Sequence, residues 1–440
     1  MIDTKTFPKG GVHPDDKKDA TENLSIKNAV IPSEFIIPMQ QHIGKPAERV
    51  VEAGDEIREG MVLGRAQGFV SASIHSPIPG TVDRIQTIHL PTGIQSEAVV
   101  ITMAGEFDRL GKRNKKRDWR QFSKKDILSM LPKYGIVGLG GATFPTHVKF
   151  SIPPEKNVEN FILNAVECEP YLTADDRLMI ERAKDICEGL KIVLSIIEPE
   201  NVYVGIEENT PDAISLMRKT LNEMDITAKV IPLKLKYPQG DEKQLYKAIT
   251  GKEIPSGKLP LDIGGVISNV GTIYAIYEAI VFDKPLLERV VTVSGGAVKE
   301  PANLKAKIGT PIRQLIAECG GFVEEPYELV VGGPMMGFSI FDLDTPVTKG
   351  TSGILALTKG EVKPAATTAC LQCGNCVRSC PMGLNPTRLY KLIDHKEFDT
   401  SINEGLMDCR ECGCCSYICP AHIPLVQGMR LGKRMYRKKG

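Results

Sequence analysis

Short apolar runs that alternate with polar positions and break at glycine or proline fill the first part of the chain. VVEAGDEIREGMVLGRA and SIHSPIPGTVDRI are two such stretches, and neither leaves room for a long helix. Alternation with this punctuation is typical of β-strands joined by tight turns. We therefore predict an all-β unit over residues 29–105, preceded by an N-terminal extension over residues 1–28.

The hydrophobic period changes after a basic linker, which we place at residues 106–122. Ser123 can cap a helix on which Ile127, Met130 and Leu131 share one face, and a Pro-Lys-Tyr-Gly stretch ends that helix. This helix opens a region in which strand-like and helical patterns alternate.

An apolar run at Phe161–Leu163 has the character of a buried strand, and polar side chains follow it closely. Asn164, Glu167 and Glu169 come at its carboxyl end, where ligands of open α/β sheets bind. The turns YPQGDEKQL and ISNVGTIYAI place further polar, glycine-containing residues beside strand-like or helical runs. Together these turns predict the rim of one crevice in an α/β domain over residues 123–286.

The stretch GLGGATFPTHVK adds a glycine-rich loop to the same rim. Gly138, Gly140 and Gly141 can bring backbone N–H groups against a phosphate without interference from a Cβ atom. Taken alone, such a loop indicates only a turn. The neighbouring polar turns are what favour a phosphate-binding loop.

A strand, helix and strand with glycine corners follow over residues 287–360. They read RVVTVSGGAV, TPIRQLIAECGG and YELVVGGPMMG, which is the pattern of a small β-grasp module. A ligand role is one alternative for this module. Because no cluster of titratable side chains gathers there, we favour a spacer that positions the domain that follows.

Charge and composition narrow the class of protein. The formal net charge of +1 over 440 residues argues against a dedicated nucleic-acid binder. The basic run GKRNKKRDWR is interpreted as a solvated linker. The basic tail over residues 426–440 is interpreted as solvated, with contact to an anionic lipid or an acidic partner as an open alternative. The first residues lack the apolar core of a signal peptide, and no run approaches the eighteen or so apolar residues of a spanning helix.

Nine of the twelve cysteines lie in two cassettes, CLQCGNCVRSCP and CRECGCCSYICP, and eight of these nine fit one repeated spacing. Each reads C-x2-C-x2-C-x3-C-P, the run of bacterial ferredoxins, in which the fourth cysteine ligates the other cluster. We therefore predict a ferredoxin-type domain over residues 361–425 with two 4Fe-4S clusters. Cys414 is left over and is interpreted as no ligand, and a zinc or disulfide staple is the alternative. The predicted ligands are Cys370, Cys373, Cys376 and Cys419 for one cluster, and Cys409, Cys412, Cys415 and Cys380 for the other.

Several of these segments resemble known families. GDEIREGMVLG and SPIPGTV are similar to the two halves of a lipoyl or biotinyl-type barrel-sandwich hybrid. The hairpin that would carry the modified lysine reads AQGFVSASIH and has no lysine. The resemblance therefore implies a structural adaptor that carries no group.

GLGGATFPTHVK, NAVECEPYLTADDR, YPQGDE and SNVGT are similar, in that order, to the FMN- and NADH-binding segments of the flavoprotein subunit of respiratory complex I. Together with FPKGGVHPDDKK, the barrel-sandwich and the two cassettes, the whole layout resembles the C subunit of the Rnf electron-transport complex. The implied fold is multidomain α/β and α+β. It comprises a barrel-sandwich hybrid, a Rossmann-like FMN domain, an SLBB-type β-grasp module and a C-terminal two-cluster ferredoxin domain.

The resemblance also implies roles for individual residues. Leu139 stands where the complex I pattern has an arginine, Val166 replaces an aspartate, and Lys258 is a candidate nucleotide contact. Phe144 and Glu169 match positions that meet NADH, and Lys149 is the implied charge partner of the FMN phosphate. The implied FMN site comprises Gly138, Gly140, Gly141, Lys149, Asn164, Glu167, Tyr237, Gly240, Asp241, Glu242, Asn269 and Thr272.

The function implied is electron transfer in a membrane-bound Rnf complex. A flavin is needed between NAD(H), which exchanges two electrons as hydride, and clusters that take one electron at a time. The chain would be a peripheral subunit at the cytoplasmic face of the membrane, with the other Rnf subunits as partners and ferredoxin reached through them. Transport of Na⁺ or H⁺ would reside in those partners.

Two alternatives stay open. The cobalamin reductase of bacterial microcompartments shares the flavin motifs, the β-grasp and the cassettes, but its flavin loop sits near the N-terminus, so the domain order favours the Rnf family. The other alternative is a non-catalytic scaffold stapled by zinc.

Overall fold

A computed structural model describes residues 4–111 and 115–437 of the chain. The first domain is built from two small antiparallel sheets around an apolar core that includes Phe35, Ile37, Leu63 and Ile101, all fully buried. The long strands β7 and β8 pair over their whole length, with one register shift near Val82. The sheets have the orders β2-β8-β7-β4 and β3-β5-β6. Their strands are β2 (Glu34–Pro38), β3 (Glu48–Arg49), β4 (Glu56–Ile57), β5 (Val62–Arg65), β6 (Ile74–His75), β7 (Gly80–His89) and β8 (Gln95–Met103), and β1 (Lys27–Asn28) precedes them in the chain.

The second domain is a parallel four-stranded sheet flanked by helices. Its strand order is β11-β10-β9-β12, and all three neighbouring pairs are parallel. The predicted cap at Ser123 is present as a capping box with Asp126, and Ile127 and Leu131 of that helix are buried. The elements are α1 (Lys124–Lys133), α2 (Thr146–Phe150), β9 (Asn160–Ala165), α3 (Ala174–Ile197), β10 (Asn201–Glu207), α4 (Pro211–Glu223), β11 (Lys229–Leu233), α5 (Glu242–Thr250), β12 (Gly265–Asn269) and α6 (Val270–Phe282).

The third domain is a mixed sheet with one helix, as the β-grasp pattern predicts. Its strand order is β1-β14-β13-β17-β15-β16. The edge strand β1 comes from the N-terminal extension and pairs parallel to β14. The elements are β13 (Glu288–Ser294), β14 (Ala302–Lys307), α7 (Ile312–Glu318), β15 (Glu328–Val331), β16 (Phe338–Ile340) and β17 (Gly353–Leu357).

Short helices around the two cassettes form the last domain. The segment expected to be a solvated tail differs from that expectation, since residues 425–437 form a helix. Leu425, Val426 and Met429 of this helix are buried in the ferredoxin-type domain, and this apolar stripe holds it there. Residues 438–440 lie outside the described part. The helices are α8 (Lys359–Val362), α9 (Asn375–Ser379), α10 (Pro386–Asp394), α11 (Phe398–Asn403), α12 (Cys414–Tyr417) and α13 (Leu425–Arg437).

The basic linker and the N-terminal extension are both anchored to the domains. Arg117 of the linker pairs with Asp283 at 2.8 Å and donates to two carbonyl groups at the end of α6, while residues 112–114 lie outside the described part. In the extension, Phe7 is fully buried, and the Gly11 N–H donates to the Ser379 carbonyl of the first cassette (2.8 Å). Neither segment is a free spacer. None of the helices in the described part has the length and apolarity that a membrane span requires.

Candidate flavin site and cysteine cavities

The predicted glycine loop folds back on itself before α2. The Gly138 N–H donates to the Phe144 carbonyl (2.8 Å), and the Thr143 N–H donates to the Gly138 carbonyl (3.1 Å). Gly141 has φ +104° with open space where a Cβ would stand, so this position needs glycine for its backbone rather than for packing. A Cβ on Gly140 would come within 3.2 Å of Asn269. The loop therefore lies directly against the start of α6.

The N-terminus of α6 is joined to this loop by its capping residues. The Asn269 side-chain oxygen accepts the N–H groups of Gly271 (2.9 Å) and Thr272 (3.4 Å). The Thr272 hydroxyl oxygen accepts the Leu139 N–H (2.8 Å). A thirteen-residue helix that starts beside a glycine loop presents a positive dipole end to an anion. The chemistry of this corner fits a phosphate.

A guanidinium that the sequence analysis missed lies behind the same loop. Arg289, at the start of β13, is 8% exposed and donates to the carbonyl of Leu139 (3.3 Å) and to that of Lys349. Burial lowers the pKa of Arg289 to about 10, and the nearby Asp175 opposes this shift. A positive charge thus lies near the position where the complex I pattern has its loop arginine. Arg289 and Leu139 are 150 positions apart in the sequence, so the sequence pattern does not indicate that they are neighbours.

Lys149 and Glu242, two predicted site residues, form an ion pair with each other. The Lys149 ammonium also donates to the carbonyl of Ile267 on β12 (3.0 Å). Its side chain is 28% exposed, so it borders the crevice with its charge already matched. Any anion that binds there competes with Glu242 for this ammonium.

The end of β9 holds two further predicted residues, both fixed by backbone groups. The Asn164 amide donates to the Gly240 carbonyl (2.9 Å), which brings the YPQGDE turn onto the strand end. The Glu167 carboxylate accepts the N–H groups of Asp175 and Asp176 (3.1 Å each) at the start of α3. The strand end and the YPQGDE turn therefore lie together as predicted.

A cluster of buried charged groups at this sheet edge was not predicted. Burial raises the pKa of Asp175 and of Glu207 to about 7, and that of Asp176 to about 6, with Glu167 contributing in each case. Lys18, from the N-terminal extension, lies 3.8 Å from Glu207 and donates to the Glu167 carbonyl (2.5 Å). One carboxyl oxygen on Asp176 and one on Glu207 have no hydrogen-bond partner among the described residues. Such buried, unmatched acceptors suit the hydroxyl and N–H donors of a flavin.

Glu169 faces the β-grasp module rather than an open crevice. Its carboxylate accepts the N–H groups of Met335 (3.0 Å) and Met336 (2.9 Å) and the Tyr237 hydroxyl (3.3 Å). Burial raises the pKa of Glu169 to about 7, while these hydrogen bonds lower it. In this structure the residue implied as an NADH contact joins two domains.

The remaining predicted residues divide between the crevice and the ferredoxin-type domain. Phe144 is half-buried in the glycine loop. Asp241 caps α5 and also pairs with Arg410 of the second cassette (2.7 Å). Lys258 is exposed on the loop between α5 and β12, two residues from Ser256, whose hydroxyl donates to Asp408 (2.5 Å).

The eight cysteines that are predicted as ligands line two cavities with apolar walls. Each cavity is lined by three predicted ligands from one cassette and by the fourth from the other. Four thiols around an apolar cavity fit a 4Fe-4S cluster. We call one the proximal cavity, with Cys380, Cys409, Cys412 and Cys415, and the other the distal cavity, with Cys370, Cys373, Cys376 and Cys419.

The proximal cavity lies against the flavin-type domain. The Cys414 thiol, on its wall, is fully buried and donates to the Tyr237 carbonyl (3.9 Å). A Cβ on Gly413 would come within 2.7 Å of the Met335 carbonyl oxygen. With the Asp241–Arg410 ion pair, these contacts bring the second cassette onto the YPQGDE turn.

Comparison with known protein families agrees with this architecture in every domain. Family models match as the RnfC barrel-sandwich hybrid domain at residues 5–106, the Nuo51 FMN-binding domain at 131–278, the SLBB domain at 290–339 and the 4Fe-4S dicluster domain at 365–420. The chain is thus a flavin and iron–sulfur oxidoreductase.

Curated relatives extend over nearly the whole chain. It is 46% identical to the C subunit of the proton-translocating ferredoxin:NAD(+) oxidoreductase complex of Clostridium ljungdahlii, over 88% of this chain and 84% of the relative. It is 42% identical to the C subunit of the Na(+)-translocating ferredoxin:NAD(+) oxidoreductase complex of Acetobacterium woodii, over 98% of each. It is also 42% identical to the C subunit of the ion-translocating oxidoreductase complex of Rhodobacter capsulatus, over 97% of this chain and 82% of the relative. The chain belongs to the RnfC family, the C subunits of ion-translocating oxidoreductase complexes.

Among solved structures, the H2-reduced NAD+-reducing [NiFe]-hydrogenase aligns with a TM-score of 0.51 at 15% identity, over 72% of this chain and 61% of that one. This likeness concerns the fold alone. The predicted family, fold class, oxidoreductase class and cofactor types are confirmed.

Proposed function

We propose that this chain exchanges electrons between NAD(H) and FMN and passes them singly, through two 4Fe-4S clusters, to the other subunits of a membrane-bound Rnf complex. The complex would act as a ferredoxin:NAD oxidoreductase coupled to transport of Na⁺ or H⁺ in the partner subunits. The chain would be peripheral, at the cytoplasmic face of the membrane. The observation that carries the proposal is the contact between the second cassette and the YPQGDE turn, since this contact brings a cysteine cavity against the flavin-type domain.

The chain's own residues bind and position, and the bound groups supply the redox chemistry. When bound, FMN exchanges an electron pair with NAD(H), and 4Fe-4S clusters carry one electron each. N–H groups of the glycine loop and the positive dipole end of α6 would hold the phosphate, with Arg289 behind the loop. Lys149 would turn from Glu242 toward the bound cofactor. The apolar wall of the proximal cavity shields the buried Cys412 and Cys415 from water, whereas Cys373 of the distal cavity is exposed.

The polar residues at the strand ends would hold the rest of the flavin. Asn164 and Gly240 are already joined by a hydrogen bond, and the unmatched oxygen atoms on Asp176 and Glu207 are available as acceptors. We place Phe144 on the nicotinamide side. A direct role for Glu169 in contacting NADH requires its hydrogen bonds to Met335 and Met336 to open.

Anaerobic purification followed by flavin, iron and sulfide counts tests the proposal. We expect one FMN and two four-iron clusters per chain, and NADH should bleach the flavin absorbance and then the cluster absorbance. A colourless protein that contains zinc and no flavin would overturn the proposal in favour of the scaffold alternative.

A further inference from the structure

The two cassettes form loops with matching backbones. Gln372 and Glu411 occupy the same place after the first cysteine and have φ values of 55° and 56°. Gly374 and Gly413 follow, with φ values of 73° and 78°. Each loop leads into a short helix, α9 or α12. Every position of one loop therefore has a structural counterpart in the other.

In the second loop, three of these positions are used to dock another domain. Arg410 pairs with Asp241, the Cys414 thiol donates to Tyr237, and Gly413 lies against the Met335 carbonyl. Through these contacts the face of the proximal cavity is covered by the domains from which electrons would arrive.

The counterparts in the first loop lie at the surface: Leu371 is exposed, and Gly374 and Asn375 are half-buried. Leu371, the counterpart of Arg410, is 66% exposed, and Cys373 is an exposed ligand whereas its counterpart Cys412 is buried. A Cβ on Gly374 would have as its nearest neighbour, at 3.1 Å, the end of Arg378 from the same loop. Val377 adds a further exposed apolar side chain (39%).

The charge of the first loop is positive. Residues 370–381 contain one charged side chain, Arg378, and no acidic one. Arg378 donates to the Cys373 carbonyl (3.0 Å) and to Asn375 (2.5 Å). None of the described carboxylates forms an ion pair with Arg378, so its charge is open to a partner.

We propose that the first loop, residues 370–378, is the docking surface for an acidic iron–sulfur protein domain that exchanges single electrons with the distal cavity. The inference rests on the proposed function, and it assigns to the first loop the task that its counterpart performs toward the flavin-type domain. Leu371 and Val377 supply the apolar centre of the contact, and Arg378 supplies charge attraction that speeds encounter.

The test uses the full chain reduced by dithionite and then desalted, so that NADH does not enter the measurement. The probe is an oxidised, acidic two-cluster bacterial ferredoxin, mixed by stopped flow at several salt concentrations. We expect Arg378→Glu to lower the second-order rate constant at low salt roughly tenfold or more, the scale of electrostatic steering. Leu371→Ser should lower it at all salt concentrations. Lys124→Glu, a charge reversal at an exposed position at the start of α1, is the matched control and should leave the rate unchanged.

Both variants must retain two cluster signals by paramagnetic resonance. If Arg378→Glu loses the distal cluster signal, its rate is not used. The rate of Leu371→Ser and the salt dependence of the wild-type rate then test the inference. A wild-type rate that does not fall with salt, or one that neither substitution changes, overturns the inference. Binding of the chain to anionic lipid vesicles through Arg378, with an unchanged ferredoxin rate, would assign the surface to a membrane instead and also overturn it. Failure of NADH to reduce the protein would count against the proposed function alone.

Discussion

Lys18 is a cation enclosed by acidic groups, and its neighbour Lys17 provides a direct contrast. Lys18 is 3% exposed and lies 3.8 Å from Glu207, whereas Lys17 is exposed and pairs with Asp15 at 2.7 Å on the surface. The net effect of the surrounding acids outweighs burial and raises the pKa of Lys18. The two residues share one sequence context and differ in environment.

We therefore expect Lys18→Met to destabilise the protein strongly. Removing one partner of a buried ion pair costs about 3–5 kcal/mol, because it leaves an uncompensated charge. Lys17→Met should change stability little, since an exposed ion pair contributes little. Urea unfolding of both variants makes the comparison. Equal stabilities for the two would show that Lys18 does not compensate the carboxylates at the strand ends.

Glu169 should make stability depend on pH. Its folded pKa of about 7 lies above the ordinary value of 4.5, so the folded state holds the proton more tightly than the unfolded state. The contribution of protonated Glu169 to the free energy of unfolding is fully present below pH 4.5 and is lost as the pH rises through 7. Relative to Glu169→Gln, the wild type should lose about 2 kcal/mol of unfolding free energy between pH 5 and pH 7.5.

The comparison must be made as a difference between the two proteins, because Asp175, Asp176 and Glu207 shift in the same direction. Urea unfolding of each protein at several pH values supplies it. Parallel stability profiles would contradict the assignment of this titration to Glu169.

The loop between β15 and β16 lies between the flavin-type domain and the ferredoxin-type domain and contacts both. Met335 and Met336 donate their N–H groups to Glu169 on the flavin side. On the other side, the Met336 carbonyl accepts Arg430 of α13 (2.9 Å), and the Met335 carbonyl faces Gly413. These contacts favour the interpretation of the β-grasp module as a spacer.

Alanine at Gly413 should weaken the contact between this loop and the second cassette. Its Cβ would come within 2.7 Å of the Met335 carbonyl oxygen, whereas a Cβ on Gly374 would meet only the flexible end of Arg378 at 3.1 Å. Both positions have positive φ, so both substitutions carry the same left-handed backbone cost of about 1–2 kcal/mol. Only Gly413→Ala should slow the reduction of the clusters by NADH, measured by rapid mixing. Equal slowing in both variants would indicate backbone strain alone.

Elements with local signals were the ones that the sequence could predict. Ser123 predicts the start of α1, where the structure has a capping box. The apolar run Phe161–Leu163 predicts a strand and lies within β9. Helix α13 was missed because its basic residues dominate the composition, while its apolar stripe is recognised only against α10. Strand β1 was missed because its partner β14 lies some 280 residues away.

The site shows the same division between local and distant signals. The two sets of four cysteines were predicted from their spacing in the sequence. Each predicted set lines one of the two cavities. Lys18 and Arg289 were missed, since each reaches the site from another segment of the chain. Glu169 was placed by resemblance, and its contact with Met335 could not be read from either segment alone.

The structure indicates in which order electrons reach the two cavities. The proximal cavity contacts the flavin-type domain, and the first loop beside the distal cavity is exposed. Electrons from NADH should therefore enter by the proximal side.

Cysteine variants test this order. With Cys373→Ser, we expect loss of the distal signal and normal reduction of the proximal cluster by NADH. With Cys412→Ser, the distal cluster should remain reducible by dithionite but respond only slowly to NADH. Paramagnetic resonance of samples frozen at set times after mixing separates these cases. Reduction of the distal cluster at the wild-type rate without the proximal one would disprove the order.

The contacts of the N-terminal extension bear on how the protein is made. Gly11 hydrogen-bonds to Ser379, and β1 pairs with β14, so residues 5–28 leave the ribosome several hundred residues before these partners exist. At ordinary translation speeds this segment waits roughly 20 seconds to a minute. Until the second domain has been synthesised, its apolar Phe7 lacks the neighbours that bury it. The segment should therefore be among the last to settle, and the nascent chain should depend on chaperones most before the cassettes emerge.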